Sequence, residues 1–287
     1  MPSSTVHPQR SRRDRCPGVF RPWPAGDGGL VRLRLIGGRV PGTSLAALGE
    51  VAGRYGDGDV HLTRRANLQL RAMPTDDDGL PTEVVEAIAA TGLLPSRSHE
   101  LVRNVMVSPQ TGLAGGRTDL RAVASELDRL LCADESLASL PGRFLFVLDD
   151  GRGDLVERSC DLGLVALDNT SAQLRVGEGR GPVVPLDEAA GELVELARRF
   201  LVVRGGGADA PWHVDELAEP LAAAVDVDPR TPNGCPPLPH GVVEGGTHVA
   251  VPGGVLDPPA LRRLAPHAEL VVTPWHGVLV PDGEEDQ

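Results

Sequence analysis

His61-Leu62-Thr63-Arg64-Arg65-Ala66-Asn67-Leu68-Gln69-Leu70-Arg71 alternates polar and apolar residues except at Arg64. In a β-strand, side chains two apart share a face. A strand here puts His61, Thr63, Arg65, Asn67, Gln69 and Arg71 on one side and Leu62, Ala66, Leu68 and Leu70 on the other. The first face carries only hydrogen-bonding groups, two of them guanidiniums, and would suit a large planar polyanion laid against the sheet. The same alternation also describes an ordinary half-solvated antiparallel strand, so the pattern alone leaves both readings open.

Upstream, Leu30 to Ile36 alternates in the same way and ends at Gly37-Gly38. A helix carrying Leu45, Leu48 and Val51 follows, with Thr43 or Ser44 as its cap, and Tyr55-Gly56-Asp57-Gly58 turns the chain into the 60–71 strand. Strand, helix, strand is half of a ferredoxin-like unit. Downstream, the patterns predict a helix at 82–90 and a strand at 101–107 carrying Arg103-Asn104. A helix at 119–132, strands at 144–148, 162–167 and 172–176, and a helix at 186–203 follow. Residues 205–240, rich in Gly, Pro and Asp, read as a linker around one helix near 214–224.

Near the carboxyl end the first pattern returns. Thr247 to Gly254 matches the strand that ends at Gly37-Gly38, a helix follows at 257–264, and Thr273 to Val280 matches the segment that begins at Thr63. This predicts an internal duplication whose halves pair across a pseudo-two-fold axis.

With 287 residues the chain is long enough for a sizeable core, and its net charge of −12 argues against general nucleic-acid binding. All the basic charge is arginine, which excludes a P-loop lysine, a Schiff-base lysine and a lysine base. Cys16, Cys132, Cys160 and Cys235 form no CxxC pair, and no apolar run approaches a membrane span, so a cytoplasmic protein with reduced thiols is expected. The scattered histidines His61, His99, His240, His248 and His276 suggest no metal site.

Two ferredoxin-like halves flanking an α/β domain, with Thr63-x-Arg65-x-x-x-Gln69 in the first half and Arg103-Asn104-Val105 after it, resemble the sulfite and nitrite reductase superfamily. Cys16-Pro17-Gly18-Val19-Phe20-Arg21-Pro22, Leu140-Pro141-Gly142-Arg143-Phe144 with Asp149-Asp150-Gly151, and Thr273-Pro274-Trp275 are most similar to its precorrin-3B synthase family. The resemblance implies an α+β fold: two half-domains pairing into one sheet around a central α/β domain. Its divisions would be a disordered tail at 1–15, a half-domain at 16–75, the central domain at 76–204, a linker at 205–240 and a second half-domain at 241–287. It also implies tetrapyrrole binding by Thr63, Arg65, Gln69, Arg103, Asn104 and Arg143, with no catalytic residue assigned.

In the family's chemistry the macrocycle is oxidised at a meso carbon, with lactone formation preparing ring contraction. Siroheme and a 4Fe–4S cluster are the family's cofactors, but this chain lacks the paired cysteines of the cluster motif. Redox equivalents would then come from a separate iron–sulfur protein or electron donor. The alternatives are a cluster-free tetrapyrrole carrier and a sulfite or nitrite reductase. Leu145 at the position of the reductases' second active-site lysine argues against the latter.

Overall fold

The computed structural model describes residues 14, 16–77, 79–207 and 209–283. The expected tail at 1–15 otherwise lies outside them; Asp14 is ordered, and its carboxylate accepts the backbone N–H of Cys16 and of Gly142.

The amino-terminal unit comprises β1 (Trp23–Ala25), β2 (Gly28–Leu33), β3 (Arg39–Pro41), α1 (Gly42–Tyr55), β4 (Val60–Leu62), β5 (Leu68–Met73) and α2 (Thr82–Ala90). The central unit holds β6 (Val105–Val107), α3 (Arg121–Ala133), β7 (Phe146–Asp149), β8 (Leu162–Ala166), β9 (Ser171–Val176), β10 (Gly179–Pro185) and α4 (Leu186–Arg204). The carboxyl-terminal unit holds β11 (Gly241–Val243), β12 (Gly246–Ala250), β13 (Val255–Leu256), α5 (Pro258–Leu264), β14 (Glu269–Thr273) and β15 (Gly277–Pro281). The α+β class and the duplicated order of elements are as the sequence predicts.

The stretch from His61 to Arg71 is a hairpin and not one strand. Thr63 ends β4, and its Oγ1 accepts the N–H groups of Arg65 at 3.3 Å and Asn67 at 3.1 Å. Ala66 has φ +54°, a left-handed conformation that closes the turn. Short side chains that bond their own backbone in this way compete with a continuing strand. The second half repeats the left-handed residue, His276 at φ +55°, between Thr273 at the end of β14 and Gly277 at the start of β15, but there the Thr273 hydroxyl donates to the Gly277 carbonyl at 3.2 Å.

The half-domains do not merge into one sheet, as the sequence reading expected. They form two five-stranded sheets, β1-β2-β5-β4-β13 and β11-β12-β15-β14-β3, each with one edge strand taken from the other half. The glycine pairs cause the exchange. Gly37 and Gly38 have φ +61° and +74°, Gly253 and Gly254 have +66° and +72°, and after each pair the chain crosses to the partner sheet. A Cβ on Gly38 would collide with the Val272 carbonyl. Arg39 then pairs with Glu269 across the junction. Both halves share one core, in which Val31, Leu33, Leu68 and Leu70 lie with Leu270, Val272 and Val278.

Four helices, α1 to α4, start without a side-chain cap. Pro41, Pro81 and Pro185 occupy the N-cap positions of α1, α2 and α4, so Thr43, Ser44 and Thr82 are not caps. Helix α2, which the family resemblance assigned to the central domain, buries Val84 and Ile88 in the half-domain core. The central sheet has order β10-β9-β8-β7-β6, with β6, β7 and β8 parallel and the rest antiparallel. A parallel bridge from Ile36 to Val105 ties it to the first half.

Residues 205–240 are not a free linker, and the only helical turn among those described is Val214–Glu216. They strap the central domain: Val214 and Leu221 enter its core, and the Gln173 side chain bonds the backbone at Asp226 and Asp228. No helix among the described residues is long and apolar enough to cross a membrane.

Candidate functional site

The antiparallel register sets Arg32 opposite Gln69, and Gln69 opposite His61, so these three side chains share one face of the first sheet. The hairpin tip carries Arg65 beyond that face to the central domain, where its Nη1 donates to the Arg143 carbonyl at 2.9 Å. Arg64 is bound through its carbonyl by Arg158 at the same contact. Arg71 turns away to Asp27. Asn67 faces inward, 1% exposed, and its Oδ1 accepts Leu35 N–H at 2.8 Å, which fixes the turn to β2.

Behind the tip lies Arg34, 3% exposed. Its guanidinium donates to Asn104 Oδ1 at 2.9 Å, the Pro17 carbonyl at 3.2 Å and the Gly142 carbonyl at 3.3 Å. Asn104 Nδ2 reaches the same Gly142 carbonyl at 2.9 Å. The opening Cys-Pro-Gly turn, Arg103-Asn104 and Leu140-Pro141-Gly142-Arg143 are far apart in sequence and meet on this one side chain.

Arg32, Arg34, Arg65 and Arg143 make no ion pair among the described residues, although the chain carries twelve more acidic than basic side chains. Arg32 has a single side-chain hydrogen bond, to Gln69 at 3.3 Å, and its Nε is buried without a partner. Burial, and then repulsion from Arg32 and Arg65, pushes the Arg34 guanidinium down to about 10. Burial and neighbouring arginines lower Arg65 likewise. Asp161 is a carboxylate that opposes this at Arg65, and its own burial pushes it up to about 6. This is a cationic cluster with which no carboxylate among the described residues forms an ion pair. Unpaired buried guanidinium groups are costly to the fold, and an anion seated here would offset that cost.

Of the predicted residues, Arg65, Gln69, Asn104 and Arg143 border this cluster, and Thr63 shapes the hairpin that presents it. Arg103 does not join them. Its guanidinium is clamped by both oxygens of Asp128 on α3, at 2.6 and 2.7 Å. Burial opposes its charge, but Asp128 more than offsets this and raises its pKa. Arg103 lines a separate cavity of about 420 Å³ with Arg34, Arg39, Leu93, Val107 and Arg121, which Arg65, Gln69 and Arg143 do not reach. Arg34 alone borders both places. Sequence reasoning missed Arg32 and Arg34; the signal was Val31-Arg32-Leu33-Arg34-Leu35, two arginines facing the same way beside the hairpin.

The second half lacks the cluster. The row Arg32, Gln69, His61 is replaced there by His248, Leu279, Val271. The residue matching Arg65 is Trp275, which lies over Met106, Leu145, Val147, Leu155 and Cys160 of the central unit.

The cysteines do not fit an iron–sulfur cluster. Burial in that apolar group pushes the Cys160 thiol up to about 11, Cys235 is exposed, and Cys132 lies on α3. Among the described residues no three His, Cys, Asp or Glu side chains are grouped to hold a metal ion.

Residues 23–77 match the family model of the nitrite/sulfite reductase ferredoxin-like half domain. Over 134 residues the chain is 30% identical to a ferredoxin–nitrite reductase of Synechococcus elongatus, covering 44% of this chain and 26% of that protein. Over 144 residues it is 29% identical to a precorrin-3B synthase of Sinorhizobium sp, covering 49% and 29%. The solved structure of Mycobacterium tuberculosis NirA superposes with a TM-score of 0.66 at 18% identity, over 90% of this chain and 54% of that one. The chain thus spans about half of NirA, and its matches span little more than a quarter of the curated relatives.

Proposed function

We propose that this chain, whose residues 23–77 match the nitrite/sulfite reductase ferredoxin-like half domain and whose fold is that of NirA, belongs to that superfamily and binds an anionic tetrapyrrole as a precorrin-3B-synthase-like oxidoreductase of cobalamin biosynthesis. The observation that carries this reading is the guanidinium cluster of Arg32, Arg34 and Arg65, which forms no ion pair among the described residues and in which none of them satisfies the buried Nε of Arg32. Arg32, Arg65 and Arg143 hold the carboxylate arms of the macrocycle, and Gln69 adds a neutral hydrogen bond. Thr63, Asn67 and Asn104 set the hairpin and loop that aim them. Arg103 enters only through its neighbour Asn104, since Asp128 already neutralises it. A metallated tetrapyrrole, when bound, would supply a redox centre; these residues supply its anchors.

Reduction of sulfite or nitrite is disfavoured by Leu145, 5% exposed beneath Trp275 where a cation would be needed. The poor fit of the cysteines to a cluster favours, as a second reading, a carrier that holds the tetrapyrrole without transforming it. Electronic spectra of anaerobically purified protein separate the two, because a bound cluster absorbs broadly and a carrier shows ligand bands alone.

Titration with uroporphyrin, followed by fluorescence quenching, tests the site. Each charge-assisted hydrogen bond is worth about 1.5–3 kcal/mol, so Arg65→Ala weakens binding by about one to two decades. Arg103→Ala leaves affinity within about threefold and lowers stability, because Asp128 loses its partner. Equal losses for both variants, or none for Arg65→Ala, would overturn the assignment.

A further inference from the structure

The central sheet packs one face against α4, burying Leu162, Leu164, Ala172 and Leu174 there. On its other face Arg175 of β9 lies directly opposite Arg180 of β10. Opposed residues on antiparallel strands stand side by side, and like charges so placed are destabilising. Arg175 is 4% exposed, and its Nη1 and Nη2 donate to the carbonyls of Leu155 at 3.2 Å and Arg158 at 2.5 Å. Its Nε is buried without a partner. Arg180 is half-buried; its Nε is likewise buried and unpartnered, and its side chain makes no hydrogen bond or ion pair among the described residues. Burial, and then Arg175, lower the Arg180 guanidinium, and the group that opposes this is the Cys160 thiol, which its own burial keeps neutral. Asp161 and Asp215, which also act on that thiol, are held elsewhere. Asp161 accepts the N–H groups of Leu145 and Val214, Asp215 accepts that of Glu178, and His213 lies within 3.7 Å of the one and 3.2 Å of the other.

We infer that Arg175 and Arg180 form a site for a tetrahedral oxyanion of the phosphate or sulfate class, seated between the two guanidiniums. The donors left free are the Nε of Arg175 and the whole fork of Arg180, and an ion that turns one oxygen to each fork satisfies both and cancels their repulsion. Arg180, the half-exposed member, is the side from which the ion enters. The strap at 205–240 frames that entrance: Val225 N–H donates to the Arg180 carbonyl at 3.1 Å, and Gln173 on the same sheet face holds the backbone at Asp226 and Asp228. The site is separate from the hairpin cluster. The charged groups that act on Arg65 are Cys16, Asp161, Arg143 and Arg32, and neither Arg175 nor Arg180 is among them. Arg158 is the link between the two places, since its carbonyl accepts Arg175 and its guanidinium donates to the Arg64 carbonyl. The inference therefore stands whether or not the hairpin cluster binds a tetrapyrrole.

Inorganic phosphate is the probe, titrated into the isotope-labelled full chain at constant ionic strength, with the arginine Nε–H and backbone amide signals followed by NMR. Shifts of the Arg175 and Arg180 Nε–H signals and of amides 173–181 that saturate below about 50 mM are expected. Arg180→Gln removes a charge but no hydrogen bond of the fold. It should weaken phosphate binding at least about tenfold, the loss of one charge-assisted hydrogen bond, and leave the urea midpoint in chloride and the uroporphyrin affinity unchanged. Phenyl phosphate distinguishes the sources of the ion. Binding as tight as that of phosphate assigns the site to the phosphoryl group of a larger molecule, and weaker binding assigns it to the free ion. Shifts that do not saturate, that fall instead on residues 32–34 and 63–69, or that survive Arg180→Gln undiminished would overturn the inference. So would a lower urea midpoint for Arg180→Gln in chloride, which would make Arg180 a structural residue.

Discussion

Replacing Arg32 by methionine should move stability and ligand affinity in opposite directions. The native side chain is half-buried, makes one long hydrogen bond to Gln69 and leaves its Nε buried and unpaired. Its charge also depresses the guanidiniums of Arg34 and Arg65. Methionine matches its reach, fills the same stem volume and needs no partner. Removing one unsatisfied buried polar group is worth about 1–3 kcal/mol, and relief of repulsion adds to it, while the lost Gln69 bond subtracts about 1 kcal/mol. The net expectation is a gain of about 1–2 kcal/mol, or a rise in Tm of roughly 2–4 °C per kcal/mol, read by urea and thermal unfolding. Uroporphyrin affinity should fall at least tenfold in the same protein. A variant that is less stable by a kcal/mol and binds as tightly as the parent would show that Arg32 is a structural residue and that the cluster is not held in wait for an anion.

The strand exchange can be probed at its glycines. Gly38→Ala meets the Val272 carbonyl in a left-handed conformation and should cost at least about 2–4 kcal/mol, whereas Gly253→Ala, whose nearest neighbour is Val255 Cγ2 at 3.9 Å, should cost about 1 kcal/mol for its backbone alone; similar urea midpoints for the two would refute this. Asp154 supplies a pH dependence: burial pushes its carboxyl up to about 7, so the folded state binds a proton that the unfolded state, near 4, has released. Stability should therefore fall as pH rises from about 4 to 7, by up to about 1.4 kcal/mol per unit from this group. Asp154→Asn keeps an acceptor for Ser108 and should flatten that slope; an unchanged slope would exclude Asp154 as its source.

Much of the architecture was legible because its periodicities are strong. Helix α2 spans the expected 82–90, and α4 follows the apolar stripe through Leu193 and Phe200. The hairpin at 60–73 was hidden by parity. His61 pairs with Gln69 and Leu62 with Leu68, so the two arms keep the parity of one strand, and only Arg64 breaks the alternation between them. Only Asn67 and the Thr63 hydroxyl hinted at a reversal. The exchanged strands β3 and β13 are too short to show any pattern, and they take their meaning from partners in the other half. The cationic cluster was half visible. Arg65 and Gln69 sit in a recognisable motif, but the burial of Arg34 depends on the Gly142 loop, 108 residues away. Arg103 misled because the same motif cannot show that Asp128, one helix later, would capture it.

The reciprocal edge strands also bear on how the chain reaches this state. The Arg39–Glu269 contact joins positions 230 residues apart, and β13 completes the first sheet only when the carboxyl-terminal unit is at hand. Contacts of such sequence separation require loop closure before they return any stabilisation, and they slow folding accordingly. The same interlock acts in reverse. Neither half can peel away without surrendering a strand to its partner, so separation of the two must pass through a state in which both sheets are frayed at once. A duplicated fold tied in this way trades rapid assembly for slow disassembly, and a ligand cluster built on its first sheet inherits a frame that stays closed long after individual contacts have opened.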